Sequence, residues 1–237
     1  MKFTISDLQH IDSVSEAPER PGLYVWYGRL SVGAADWSED LTGGNVAAQK
    51  QLLQALRNHS IKYRQQPLQL DALANFSTRW SGGLGSAIPD GWDDDSKGIW
   101  SSSGSQHIAK ATSSDSARKD LLTLLDDVFP VFNSPLYIGL AIDQSLRSRL
   151  LRHRSQFRSH WERASSDPEY PSRIIKPEKF ADRAIKMGFS PRDLYFYTLH
   201  IDADEEDDEN IKDRQKELLR FAEWLLNRWA NPLLGRT

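Results

Sequence analysis

Cysteine is absent from all 237 residues. Disulfides, thiolate nucleophiles and metal or cluster sites built on thiolates are therefore excluded. Long apolar runs are missing as well, and nothing approaches the ~20 residues that a membrane-spanning helix needs. The first eleven residues mix apolar, polar and charged side chains, without the apolar stretch of a secretion signal. The expectation is thus a cytoplasmic protein with no membrane partner. A strong net charge is also lacking: 30 basic against 33 acidic residues give −3, which neither favours nor excludes nucleic acid. What is present, 39% apolar and 27% charged residues, is enough to build one large globular domain or two small ones.

Three segments read as strands. Residues 21–30 (PGLYVWYGRL) follow a Pro-Gly turn with aromatic and β-branched residues. Residues 135–141 (PLYIGLA) and 194–201 (LYFYTLHI) have the same character. Two long amphipathic segments read as helices. One spans about 144–164, with Leu146, Leu150, Phe157 and Trp161 on its apolar stripe and His153 among them. The other spans about 211–230, with Leu218, Ala222, Leu225 and Trp229 as its stripe and Pro232 just beyond. Between the first two strands lie roughly a hundred residues, enough for a small domain. Within them 46–56 and 116–128 read as helical, while 80–116 is rich in Gly, Ser and Asp and reads as loop. Its glycines lack a following Walker Lys-Ser/Thr, so a phosphate loop of that type is discounted.

Charge is segregated along the chain. Residues 144–192 hold twelve basic side chains and five acidic ones. Such a stretch can track phosphates, and Arg147, Arg152, Arg154 and Arg158 on the helix are the candidate contacts; a solvated helix face gives the same pattern. The acidic run at 202–209 lacks the alternation of a calcium loop and reads as a solvated segment. Trp161, Trp224 and Trp229 are expected in the core. Trp92 and Trp100, in the polar loop, are candidates for stacking on bases.

The chemistry-bearing residues fall in a definite order. Tyr24 sits in Gly22-Leu23-Tyr24 and Tyr137 in Tyr137-Ile138-Gly139; Arg149 and His153 follow one helical turn apart; Glu223 lies between Leu219 and Leu226 of the last helix. A carboxylate in apolar surroundings asks for a cation or donors. His153 lies on an apolar stripe, where a packed core histidine and a catalytic one look alike. These pieces, with Ala141, Asp143 and Leu146 between them and Pro232 nine residues after Glu223, resemble the GIY-YIG nuclease family. The likeness covers roughly 11–30 and 135–234. It departs in the long stretch between the first two strands, in two extra residues before Leu146, and in Gly235 standing where the family often has Asn, with Asn231 before the proline instead.

The resemblance implies an α+β fold: a small three-stranded antiparallel sheet flanked by helices, formed by 1–30 and 135–237. Residues 31–134 would be a helical and loop insertion that serves as a DNA-recognition element. It implies a metal-dependent endonuclease, of restriction or defence type, that hydrolyses phosphodiester bonds of double-stranded DNA; a binding protein with a degenerate site and an RNA nuclease are the alternatives. A homodimer would suit cutting of both strands. Mg2+ or Mn2+ would be held by Glu223, as hard cations prefer oxygen ligands. Arg149, with Arg147 as competitor, would stabilise charge on the phosphate. Tyr24 would be general base, its phenolate favoured by Arg149 and the ion; Tyr137 would position water or phosphate, and His153 would carry a second proton or donate to the phosphate.

Overall fold

The computed structural model describes residues 2–63, 110–174, 179–202, 209–230 and 232–234. The chain is α+β and divides into two compact units, residues 1–31 with 126–237 and residues 32–125.

The first unit is built on an antiparallel sheet. Its strands are β1 (Phe3–Ile5), β2 (Gln9–His10), β3 (Gly22–Gly28), β4 (Tyr137–Ala141) and β5 (Leu194–Ile201), in the order β1-β5-β3-β4 with β2 also on β5. Three strands were expected and the sheet has five; β1 and β2 extend it along β5. The register sets Tyr24 opposite Gly139 and Leu23 opposite Leu140. Side chains alternate across a strand, so Tyr24, Trp26, Tyr137 and Gly139 share one face and Leu23, Ile138 and Leu140 the other.

Each face is covered by helices. On the Tyr24 face lies α4 (Leu146–Ser166), started by Ser145, whose Oγ accepts from the Ser148 N–H at 3.2 Å. Leu146, Leu150, His153 and Phe157 are its buried residues, at helical spacing. The short α5 (Phe180–Lys186) packs beside α4, and Phe180 stacks on Trp26 with ring centroids 5.2 Å apart. On the other face lies α6 (Glu209–Trp229). Leu219, Ala222 and Leu226 pack there against Leu23, Leu140, Leu199 and Ile201. This corrects the expected stripe: Leu218 is 41% exposed, and Trp224 and Trp229, expected in the core, are 50% and 73% exposed. After α6 the backbone of Leu234 donates to the Leu136 carbonyl at 2.6 Å, tying the chain's end to the entry of β4.

The second unit contains α1 (Glu39–Thr42), α2 (Asn45–Lys62) and the start of α3 (Asp115–Phe132), which runs on into the first unit. Its centre is Arg118, fully buried. All five of its N–H groups have acceptors: Trp37 and Thr112 carbonyls, Asn45 Oδ1, Glu39 Oε1 and Asp115 Oδ1, at 2.6–2.9 Å. Trp92, Trp100 and most of the Gly/Ser-rich stretch lie outside the described residues. No described helix is long and apolar enough to cross a membrane.

Candidate functional site

Two glycines allow the strands and α4 to close on each other. A Cβ at Gly22 would strike the Leu199 carbonyl oxygen and come within 2.8 Å of Leu146 Cδ1. A Cβ at Gly139 would strike the Tyr24 hydroxyl and come within 2.5 Å of Tyr24 Cζ and 2.6 Å of Tyr137 Cε1. The Tyr24 ring thus crosses its strand partner in the space that a side chain would take.

Tyr24, Tyr137, Arg149 and His153 meet there. The Tyr24 hydroxyl lies 2.8 Å from His153 Nε2 and receives the Arg149 Nε–H at 3.3 Å. The Tyr137 ring centroid is 6.1 Å from that of Tyr24 and 6.0 Å from that of His153. Burial raises the Tyr24 phenol well above the usual tyrosine range, the neighbouring Tyr137 adds to this, and Arg149 offsets only part of it. The His153 imidazole is pushed down to about 3, first by burial and then by Arg149 and Arg152. At neutral pH Tyr24 keeps its proton and His153 lacks a second one. Arg149 donates to the Tyr24 hydroxyl, and Tyr24 and His153 Nε2 share one hydrogen bond whose donor is set by the imidazole tautomer. His153 Nδ1 is buried without a hydrogen-bond partner among the described residues.

Tyr24 is 0% exposed and is not among the described residues that line the cavity described next. It fixes Arg149 and His153 in place. Arg149, not Arg147, joins the cluster. Arg147 donates to the Ala17 carbonyl and pairs with Glu19. Arg154 donates to the Asp12 carbonyl and Arg158 pairs with the Asp12 carboxylate. Of the four arginines expected at nucleic acid, three hold the N-terminal segment, and Arg152 alone faces the cavity.

That cavity has a volume of about 240 Å3. Tyr137, Arg149, Arg152, His153 and Gln156 form one wall, and Lys179, Phe180 and Arg183 from α5 and its N-terminal edge form the other. Among the described residues four cationic side chains and no carboxylate line it, a lining that suits an anion rich in oxygen acceptors. The Lys179 N–H donates to Asp182 Oδ2 at 3.2 Å, and Asp182 lies 3.3 Å from His160 of α4, which anchors α5. Arg183 sits over the Tyr137 ring, 5.9 Å from its centroid.

Compared with models of protein families, with curated proteins and with solved structures, the chain matches none.

Glu223 is half-buried on α6, the helix on the opposite face of the sheet, and does not line the cavity. Among the described residues no three His, Asp or Glu side chains converge as a metal site. A divalent ion does not fit the cavity's own donors. Asn231 and Gly235 lie outside the described residues. Sequence reasoning missed Gln156, Lys179, Phe180 and Arg183 as pocket residues. A signal was present for two of them: Lys179 and Arg183 are spaced i, i+4, the mark of one helix face, and Asp182 stands three residues after Lys179, where a helix start favours an acid.

Proposed function

We propose that the chain is a GIY-YIG-type nuclease that binds a backbone phosphate of nucleic acid, double-stranded DNA in the first instance, in the cationic cavity and hydrolyses it. The observation that supports this reading is the convergence of Tyr24, Tyr137, Arg149 and His153 across paired strands, opening on a cavity lined by four cations. Arg149 and Arg152 from one wall and Lys179 and Arg183 from the other donate to phosphoryl oxygens, where charge grows during displacement. The half-buried Tyr137 hydroxyl reaches the same space and orients the phosphate. Tyr24 acts behind them as a positioning residue, and His153 lines the cavity beside Arg149. The Mg2+ or Mn2+ of the family would have to be held by Glu223, which is not among the cavity's lining residues. Residues 32–125, which separate β3 from β4 in the chain, are proposed as the element that recognises DNA sequence.

The cationic lining alone also suits one second reading, a nucleic-acid-binding protein that does not cut. Plasmid nicking separates the two. Cutting by wild type with Mg2+, lost in Arg149→Ala and Tyr137→Phe, supports the nuclease. Absence of cutting on DNA and on a parallel RNA substrate, with binding retained, supports the second reading. Full activity of Glu223→Ala removes that residue from the metal role, and full, unaltered cutting after deletion of the 32–125 unit overturns its role in recognition.

A further inference from the structure

Helix α6 carries a second apolar stripe that nothing in its own unit's core uses. Opposite Leu219, Ala222 and Leu226, the outward line of the helix reads Glu217, Phe221, Trp224, Arg228, at spacings of four, three and four. All four are exposed, Phe221 by 58% and Trp224 by 50%. The Phe221 and Trp224 rings stack with centroids 5.9 Å apart, and the Arg228 guanidinium lies 3.8 Å from the Trp224 centroid. Leu218 and Trp229, 41% and 73% exposed, flank the line. Aromatic and arginine side chains gathered on one helix face are the usual anchors of a protein interface.

The order of the four residues identifies the occupant. They are an acid, two aromatics and a base, spaced symmetrically about a point midway between Ala222 and Glu223. A two-fold axis through that point, perpendicular to the helix, sets Phe221 against Trp224 of a second copy and Glu217 against Arg228 of that copy, each pairing occurring twice. An isologous interface requires a surface that complements itself, and antiparallel packing of two such stripes meets the requirement in charge and in shape. We infer that α6 pairs with α6 of a second copy of this chain, antiparallel, through Phe221 and Trp224, with the Glu217–Arg228 pairs fixing register. In the single chain Glu217 pairs with Arg220, and it exchanges that exposed partner for Arg228 of the other copy.

The inference does not depend on the nuclease reading, and its test does not use activity. Sedimentation velocity on the full chain is expected to give a dimer for wild type and a monomer for Phe221→Asp and Trp224→Asp; circular dichroism checks that these surface variants are folded. Glu217→Arg alone and Arg228→Glu alone each place two like-charge pairs in the interface and weaken self-association at least ~10-fold. Mixed together, the two single variants restore both attractive pairs and form a heterodimer of nearly wild-type affinity. A wild-type chain that remains monomeric at ~0.1 mM overturns the inference. So does a dimer indifferent to the charge reversals, or a mixture of the two variants that stays monomeric.

Discussion

The neutral state of His153 makes stability depend on pH in a way that can be isolated. Its ring is 7% exposed and its folded-state pKa is about 3, against an ordinary value near 6.5. Above pH ~6.5 the ring is neutral in both folded and unfolded chains, and the full stability is present. As pH falls below that point the unfolded chain takes up a proton that the folded chain refuses. Stability is then lost at about 1.4 kcal/mol per pH unit until the folded pKa is reached. From pH 6.5 to pH 5 this amounts to about 2 kcal/mol from one residue. Carboxylates contribute their own slope, so the measurement is a difference. His153→Gln retains a polar acceptor for Tyr24 but cannot titrate. Urea unfolding of both proteins at pH 7.5 and pH 5 is expected to show wild type losing about 2 kcal/mol more than the variant. NMR gives the direct reading, with the His153 ring signals unmoved between pH 7 and pH 4.5. Equal losses in the two proteins, or a ring that titrates near pH 6, would refute the buried Arg149–Tyr24–His153 chain as drawn.

Three other perturbations test separate parts of the argument. Gly139→Ala drives a methyl to within 2.5 Å of Tyr24 Cζ; a loss of about 1–3 kcal/mol in chemical denaturation is expected, as for other overpacked sites, and an unchanged midpoint would contradict the close crossing. Arg118→Met removes the Arg118 hydrogen bonds to the Trp37 and Thr112 carbonyls. Each lost bond to a charged donor costs about 1.5–3 kcal/mol, so hydrogen exchange should speed up in residues 32–63 and 110–125 while the sheet stays protected. Uniform exchange across both units would count against Arg118 as the centre of the second. Lys179→Ala and Arg183→Ala should weaken binding of a short DNA duplex whatever its sequence, each reducing the slope of log affinity against log salt by about one in fluorescence anisotropy; unaltered slopes would remove the cavity from phosphate binding.

Much of the frame was legible in the sequence because it rests on local signals. The strands at 22–28, 137–141 and 194–201 announce themselves by β-branched and aromatic runs, and the long helices by their periodicity. Strands β1 and β2 were not legible. They have three and two residues, and Phe3 pairs with Ile201, so the partner that makes β1 a strand is nearly the whole chain away. The orientation of α6 was misread for a different reason. The helix carries two apolar lines about 100° apart, one through Leu218 and Leu225 and one through Leu219 and Leu226. Periodicity finds both and cannot tell which meets the sheet. The buried line is the one whose residues fit the surface of Leu23, Leu140 and Ile201, a long-range fact. Trp229 lies on the displaced line and Trp224 on the outward face beside Phe221, so both stand outside the core.

The site divides along the same boundary between local and long-range information. Tyr24 and Gly139 can be placed together from sequence, because strand pairing and the glycine's lack of a side chain are enough. The protonation of Tyr24 cannot, since it is decided by how deeply α4 and α5 bury it. A phenol next to an arginine reads as an activated base as long as water is assumed nearby. Once desolvation outweighs the guanidinium, the phenol stays neutral against a neutral imidazole, and the cavity is lined by the groups that the burial leaves facing outward. Those are Tyr137, Arg149, Arg152 and His153 from the expected set, and Lys179 and Arg183 from a helix whose part emerges only when it packs beside the others. Burial therefore moves the chemistry of this site one layer outward from the residues that made it recognisable.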